Sequence, residues 1–289
     1  MDPPIIICGS GRNGSSALHL RLAKHPNMAW ISDKVSERVP QRPGLNRLLM
    51  RGIEVPILRS YLWEHFPPGE SYMFWDIYSK SFRHPCRDLV ADDATMIEKK
   101  LIRQVFSQLL TPKRSQLLLK ITGWPRLGYL NEIFPGAKFL YLIRDGRAVA
   151  NSLLHIYFWQ GWRGPSNWLM GELVSEDQAV WDKYDRSFAA LAGIEWNIGC
   201  RAAEKGIERL PAGQVMQVRY EDLCVNGLAE MERILEFCGL DIPDEYQRYL
   251  LSSPYVSQNE KWKSDLTSKQ RDILTDVTRG YLEKYQYPV

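Results

Sequence analysis

The sequence predicts an α/β fold in which helices cover both faces of a central, mostly parallel sheet. First, the apolar run 5–8 leads through a Gly-rich turn into the start of a helix. Second, short apolar segments alternate with segments of helical periodicity in the second half of the chain, which is typical of βαβ units. Third, the 289 residues are 45% hydrophobic and 25% charged, which is ordinary for one large globular domain.

The individual elements follow from apolar periodicity and from the residues that interrupt it. The expected strands are residues 5–8, 28–31, 116–121, 137–143 and 215–220. The expected helices are residues 15–24, 95–110, 126–134, 146–158, 176–209, 228–238 and 268–285. A loop is expected between the last two helices, over residues 258–266.

Two segments interrupt this pattern, and we expect both on the substrate side of a single domain spanning residues 1–289. Residues 38–90 are rich in proline and aromatic residues, which predicts a helical insertion. Residues 159–181 are rich in Trp and Gly, which predicts a lid. Large aromatic side chains of both segments are expected to shape a pocket, although core packing is the commoner place for any single one. They are Trp63, Tyr72, Trp75, Trp159, Trp162 and Trp168.

Composition excludes several classes of protein. A formal net charge of +3 is too small to indicate a nucleic-acid partner, but it allows a local basic pocket for an anion. Five cysteines without a CxxC pair argue against a disulfide framework and against a zinc site, and favour a reducing compartment. Neither a signal peptide nor an apolar stretch of membrane-spanning length is evident, so a cytoplasmic protein is expected.

The turn after the first strand has the composition of a phosphate-binding loop. Its backbone N–H groups and the positive end of the helix dipole would converge on one anion. Gly9 and Gly14 have the spacing of a Walker A loop, but Ser15 stands where a nucleoside triphosphatase carries Lys. The basic residue lies three positions earlier, as Arg12. The loop therefore suits a nucleotide whose terminal group is not a triphosphate.

A second anion site is predicted at the end of the strand 137–143. Arg144 follows this strand, and Ser152 lies about two helical turns further along the chain. Both would meet at the carboxyl edge of the sheet, where open α/β proteins bind ligands, and could hold one phosphate from two sides. A local ion pair between Arg144 and Asp145 is the simpler alternative.

Four ordered motifs resemble those of sulfotransferases that use 3′-phosphoadenosine 5′-phosphosulfate (PAPS). Arg-Asn-Gly-Ser-Ser at 12–16 resembles the family's 5′-phosphosulfate loop, which usually reads Arg-Ser-Gly-Thr-Thr. The segment 144–152 resembles its 3′-phosphate segment, 218–223 its Tyr-Glu-Asp-Leu strand end, and 261–262 its C-terminal cofactor loop. Arg-Asp-Gly-Arg-Ala at 144–148 is closer to the tyrosylprotein and bacterial branch than to the cytosolic steroid and phenol enzymes.

The resemblance implies a P-loop-like α/β domain, a PAPS donor that leaves as 3′-phosphoadenosine 5′-phosphate (PAP), and no metal. Lys120 corresponds by position to the family's catalytic lysine, and with Arg12 it would stabilise charge on the leaving nucleotide. The residues implied to bind the cofactor are Arg12, Asn13, Gly14, Ser15, Ser16, Arg144, Ser152, Tyr220, Lys261, Trp262 and Lys263.

The general base is less well marked. Cytosolic relatives carry a His two residues after the Lys, but here that position is Thr122. The tyrosylprotein enzymes use a Glu whose counterpart here is Asp33. Glu37 and a histidine, His155 or His25, are the alternatives. A turn or helix-capping role for Asp33 is about as well supported.

The chain also departs from the branch at the 3′-phosphate site. The basic contact expected one turn after Ser152 is absent from 154–156, and Glu260 replaces the serine expected before Lys261. Lys263 is expected to compensate.

The identity of the acceptor and two rival functions stay open from the sequence. The expected acceptor is a small molecule, with a peptide tyrosine second and a carbohydrate third, and a homodimer is allowed. A small-molecule kinase with a degenerate P-loop is the rival enzyme, against which Ser15 argues. A nucleotide-binding module without catalysis is the rival that is not an enzyme.

Overall fold

The computed structural model describes residues 2–79, 81–84 and 86–289, so Met1, Lys80 and Pro85, which belong to the predicted domain and insertion, lie outside the description. Within the described residues, five parallel strands form one sheet in the order β2-β3-β1-β4-β5. The strands are β1 (Ile5–Gly9), β2 (Met28–Ala29), β3 (Gln116–Thr122), β4 (Lys138–Ile143) and β5 (Val215–Arg219). The predicted α/β fold with a central parallel sheet is confirmed.

Helices pack on both faces of this sheet. Those before β3 are α1 (Ser15–Ala23), α2 (Asp33–Ser36), α3 (Gly44–Glu54), α4 (Pro56–His65), α5 (Tyr72–Tyr78) and α6 (Met96–Leu109). Those between β3 and β5 are α7 (Leu127–Ile133), α8 (Gly146–Leu154), α9 (Ser175–Lys183) and α10 (Phe188–Ile207). Those after β5 are α11 (Tyr220–Val225), α12 (Gly227–Cys238), α13 (Asp244–Ser252), α14 (Lys261–Asp265) and α15 (Ser268–Lys284). Single 3₁₀ turns lie at Ala91–Asp93, Gly161–Arg163 and Pro165–Asn167.

Alternation along the strands divides the apolar core into two halves. In β1, Ile5 and Ile7 pack with α1, α3, α12 and α13, whereas Ile6 and Cys8 pack with α6, α7, α8, α10 and α15. All four side chains are buried, because a central parallel strand is covered on both faces. The same alternation places Lys120 on the α1 face of β3 together with Leu118.

The strand order places the carboxyl end of β1 in the middle of the sheet. From there the chain crosses to β2 on one side, and it later reaches β4 on the other side. A crevice at such a topological switch point is where open α/β sheets bind ligands. Both predicted anion-binding segments begin at this edge, one after β1 and one after β4.

The helix predicted over 176–209 is wrong, because the structure divides it into α9 and α10. Asp185 and Arg186 adopt positive φ angles of 52° and 56°, which no α-helix accommodates. Ser187 then caps α10 by accepting a hydrogen bond from the N–H of Ala190 at 3.3 Å. Residues 183–188, around the break, contain neither Pro nor Gly, so only this capping serine marked the break.

Smaller corrections concern the ends of two other segments. Helix α8 ends at Leu154 rather than at 158, and the predicted loop 258–266 contains the short helix α14. Among the described residues, no helix combines the length and the apolar content needed to cross a bilayer.

Close packing of α8 on α10 depends on a glycine. A Cβ atom on Gly146 would overlap the six-membered ring of Trp196, whose side chain is 1% exposed. Gly146→Ala should therefore lower the free energy of unfolding by about 1–3 kcal/mol through overpacking. Urea denaturation followed by circular dichroism measures this difference.

The matched control is Gly280→Ala in α15. A Cβ there meets open space, so the change should be neutral or stabilise the helix by roughly 0.5–1 kcal/mol. Equal effects of the two variants would contradict the packing argument.

Candidate active site

Asn13 fastens the loop after β1 to the sheet. Its side chain is fully buried, and Nδ2 donates to the carbonyl of Leu142 at 2.7 Å. Its Oδ1 accepts the N–H of Ser15 at 3.2 Å. Asn13 thus shapes the loop through its side chain, and only its backbone is left to face a ligand. In the same turn, the N–H groups of Ala17 and Leu18 donate to Gly14 O at 3.0 and 3.2 Å, so among the described residues the N–H of Ser16 remains suited to an anion.

Gly14 allows the loop to turn closely over Tyr220. Its φ is 93°, and a Cβ atom would collide with the Tyr220 ring. Tyr220 is itself 5% exposed, and its hydroxyl donates to Val256 O at 3.2 Å. The structure therefore places Tyr220 beneath the loop as a support. Ser15 is buried, whereas Ser16 is exposed with its hydroxyl at the mouth of the loop.

Arg144 joins three segments of the chain. Its Nη1 donates to Arg12 O at 3.0 Å, its Nε to Asn259 Oδ1 at 2.9 Å and its Nη2 to Gln258 O at 2.9 Å. The guanidinium also lies 4.4 Å from the centre of the Tyr220 ring. Burial lowers the pKa of Arg144, and the nearby Tyr220 and Glu221 oppose that shift. These contacts leave two of the five guanidinium N–H groups for a ligand.

Arg12 and Ser152 meet, although they belong to different motifs. Arg12 has a φ of 65° and is exposed, and its Nε donates to Ser152 Oγ at 2.9 Å. The two predicted anion sites are therefore adjacent. The Asp145–Arg147 pair, not an Arg144–Asp145 pair, is the local ion pair of this turn, at 2.7 Å.

Lys120 lies between the loop and a carboxylate from the insertion. Its Nζ donates to Ser16 Oγ at 2.9 Å and lies 3.0 Å from Glu70 Oε1. The same Oε1 accepts the Thr122 hydroxyl at 2.8 Å. The side chain of Lys120 is only 10% exposed, so this charge is screened less than a surface lysine. A cation in this position suits charge that develops on a leaving group.

Behind Lys120, α1 contributes a buried histidine. Burial lowers the pKa of His19 to about 3, and the charge of Lys120 acts in the same direction. His19 is thus neutral at physiological pH and adds no charge next to Lys120.

Asp33 is exposed at the start of α2, and its side chain holds the insertion in place. Its Oδ1 accepts the N–H of Ser71 at 2.6 Å and the Ser71 hydroxyl at 3.3 Å. Glu37 is exposed at the other end of α2.

The two histidines considered as alternative bases, His25 and His155, contact backbone carbonyl groups. His25 is buried, with Nε2 2.9 Å from Asp241 O, and Nδ1 of His155 lies 2.8 Å from Asn151 O.

The C-terminal segment reaches α8 through α14. Trp262 is 7% exposed, and the centre of its ring lies 4.5 Å from the guanidinium carbon of Arg147. Asn151 Nδ2 donates to Asp265 Oδ2 at 2.9 Å. Lys261 and Lys263 are exposed on this helix. The structure therefore brings the predicted C-terminal cofactor residues alongside the helix that carries Ser152.

The sequence did not identify three residues that organise the site. Glu70 lies in an insertion without periodicity, so no pattern marked it. Glu221 accepts hydrogen bonds from Asp145 N at 3.1 Å, Asn259 Nδ2 at 2.8 Å and Tyr287 Oη at 2.9 Å. The Tyr-Glu-Asp-Leu motif contained Glu221, but its partner Asn259 had no local signal.

Most of the aromatic side chains expected around a pocket are core residues. Trp63, Trp75, Trp159 and Trp168 are buried. Trp162 is 58% exposed. The Tyr72 hydroxyl donates to Thr122 O at 2.7 Å, next to Glu70.

The comparisons with known proteins agree with this geometry. A family model described as "Sulfotransferase family" matches residues 3–244, so the chain belongs to the sulfotransferase family. The chain is 23% identical to the omega-hydroxy-beta-dihydromenaquinone-9 sulfotransferase Stf3 of Mycobacterium tuberculosis, with 99% of this chain and 76% of the relative aligned.

Two further comparisons concern a shorter stretch of the sequence and the fold. The chain is 30% identical to protein-tyrosine sulfotransferase A of Caenorhabditis elegans over 115 residues, 40% of this chain and 24% of the relative. The crystal structure of sulfotransferase STF9 from Mycobacterium avium superposes with a TM-score of 0.57 at 15% identity, covering 100% of this chain and 78% of that one.

The segment 159–181, which is predicted to be a lid, is fastened to α10 by a titratable contact. Trp159 Nε1 donates to Glu195 Oε2 at 2.8 Å, and burial raises the pKa of Glu195 to about 7. An acid whose pKa is higher in the folded state stabilises the fold below its unfolded pKa and loses that contribution as pH rises through about 7. The stability of the wild type relative to Glu195→Gln should therefore fall between pH 5 and pH 8.

Urea denaturation at pH 5, 6, 7 and 8 measures this trend. Glu232→Gln, at an exposed position on α12, is the control and should follow the wild type at each pH. A constant difference between wild type and Glu195→Gln would show that the carboxyl has the same proton affinity in both states.

Proposed function

We propose that this sulfotransferase takes its sulfuryl group from PAPS and transfers it to a hydroxyl or amine of a small-molecule acceptor. The observation that carries the proposal is the hydrogen bond between Lys120 and Ser16. The Lys120 side chain, which is 10% exposed, donates to the exposed hydroxyl of Ser16 in the first turn of α1, beside the backbone N–H of that residue. This arrangement provides a phosphosulfate with both hydrogen-bond donors and a positive charge.

The residues present fit the two ends of the donor. The loop 12–16 and Lys120 would hold the 5′-phosphosulfate, since Ser16 is exposed and its backbone N–H, unlike those of Ala17 and Leu18, has no acceptor among the described residues. Ser152 and the remaining N–H groups of Arg144 would hold the 3′-phosphate, next to Arg12, whose Nε donates to Ser152 Oγ. Tyr220 would support both from below, and Lys261, Trp262 and Lys263 would border the adenosine.

When bound, the donor supplies an activated sulfuryl group, and the chain's own residues do the rest. Lys120 and Arg12 offer fixed positive charges where negative charge grows on the leaving phosphate. Asn13 holds the loop that aims the N–H groups, through its two buried hydrogen bonds. The acceptor approaches from the side of the insertion and the lid.

A small lipid or aromatic alcohol is the acceptor class that we favour. The relative Stf3 acts on a menaquinone derivative, as its name states, and it aligns with nearly the whole of this chain. The exposed Trp162 and the Tyr72 ring offer apolar contact on the acceptor side. A peptide tyrosine is the second candidate, because 115 residues are 30% identical to a protein-tyrosine sulfotransferase.

We further propose that residues 1–289 work as one domain in the cytoplasm. The single sheet, with the insertion fastened to α2 and β3, supports one domain. The odd cysteine count without a CxxC pair supports a reducing compartment.

PAP should raise the melting temperature of the protein without Mg²⁺, because a ligand that binds only the folded state stabilises it. ATP with Mg²⁺ should do little, since Ser15 replaces the Walker lysine. Differential scanning fluorimetry with each nucleotide measures both effects. The opposite pattern would favour a kinase.

Lys120→Ala should lower the turnover of [³⁵S]PAPS by roughly 100-fold or more, because loss of a preorganised charge acts mainly on the transition state. The affinity for PAP, measured by calorimetry, should change far less than the turnover. Lys113→Ala, an exposed lysine before β3, is the control. A large loss of PAP affinity with unchanged turnover would contradict the role given to Lys120.

A further inference from the structure

We infer that Glu70 is the general base that takes the proton from the acceptor, an inference that rests on the proposed function. Neither the motifs nor the family comparison assigns a role to this residue, which lies in the insertion between α4 and α5. The structure nevertheless brings it to the end of β3, beside Lys120.

The position of the Glu70 side chain fits this role. Its carboxylate lies one cation away from the loop hydroxyl, because Lys120 Nζ contacts both Ser16 Oγ and Glu70 Oε1. Lys120 and Thr122 both contact the same oxygen, Oε1, at 3.0 and 2.8 Å. These two contacts leave Oε2 to accept a proton. The side chain is 20% exposed, so an acceptor can reach it.

The backbone around Glu70 is held on both sides. The N–H of Gly69 donates to Ile31 O at 3.0 Å, and the N–H of Ser71 donates to Asp33 Oδ1 at 2.6 Å. Two residues on, Tyr72 bonds to Thr122 O. A carboxylate fixed in this way needs little reorganisation when the acceptor binds, which is the condition for efficient proton transfer.

The same contacts argue against Asp33 as the base. Both carboxyl oxygens of Asp33 lie against Gly69, where a Cβ would overlap them, and Oδ1 also accepts from Ser71, so the whole carboxyl group packs against the insertion. Asp33 therefore acts as the residue that positions the Glu70 segment. His25 and His155 are engaged with backbone carbonyls at other places in the fold.

The proton and electron balance of the step is complete. The acceptor O–H bond breaks and its proton moves to Glu70 Oε2, while the acceptor oxygen forms a bond to the sulfur of PAPS. The bond between that sulfur and the bridging phosphate oxygen breaks, and the oxygen keeps the electron pair beside Lys120. Glu70 then returns the proton to solvent.

The test compares Glu70→Gln with the wild type in two assays. The first measures the affinity for PAP by calorimetry. The second measures the transfer of the ³⁵S label from [³⁵S]PAPS to water, as free sulfate, or to a panel of alcohols, as sulfate esters. We expect turnover to fall about 100-fold, the usual scale for a general base, with PAP affinity unchanged or higher. Glu64→Gln, an exposed glutamate on α4, should match the wild type in both assays. Formate should partly restore turnover to Glu70→Ala.

The outcomes separate this inference from the proposed function. A wild type that neither binds PAP nor releases labelled sulfate would refute the proposed function itself. An active wild type with an equally active Glu70→Gln would refute only the role of Glu70. Tighter PAP binding with undiminished turnover would show that Glu70 is merely the counter-ion of Lys120. Loss of turnover in Asp33→Asn, with Glu70→Gln active, would move the base to Asp33.

Discussion

The guanidinium of Arg144 joins the parts of this site that are far apart in the sequence. Arg144 follows directly after β4. Its guanidinium donates hydrogen bonds to the carbonyl of Arg12 in the first loop and to Asn259 and Gln258 near the C-terminus. A buried cation is costly unless its N–H groups find acceptors and a favourable surface, and here three acceptors and the Tyr220 ring supply them. The shape of the first loop and the course of residues 256–259 therefore depend on one another.

Around this cation the site has two parts that share the loop after β1. On the β3 side, Ser16 at the start of α1 contacts Lys120, and Lys120 contacts the carboxylate of Glu70. On the β4 side, the exposed Arg12 meets Ser152. The loop is common to both because β1 lies between β3 and β4. A donor with a charged group at each end would thus be held across one strand.

Local patterns were sufficient for the sheet and for the motifs, because strands, Gly-rich turns and helix starts are encoded over a few residues. All five strands lie where the apolar runs indicated, within two residues at each end. The break between α9 and α10 was missed because Asp185 and Arg186 take positive φ without a Gly or Pro to signal it. Glu70 and Asn259 could not be found, since each reaches the site only through long-range contacts with Lys120 or Arg144. Asn13 is predicted to bind the cofactor as part of the loop 12–16, and because its buried amide donates to Leu142 O, that prediction now concerns its backbone.

Strand β2 has only two residues, Met28 and Ala29, and it forms one border of the sheet. A strand this short offers few unpaired N–H and C=O groups along that side. Side chains of α3 and α4 pack against the residues of β2, and Asn46 Nδ2 donates to the carbonyl oxygen of Trp30 at 2.9 Å. Sheets from neighbouring molecules consequently find little backbone to extend along the β2 side of the sheet.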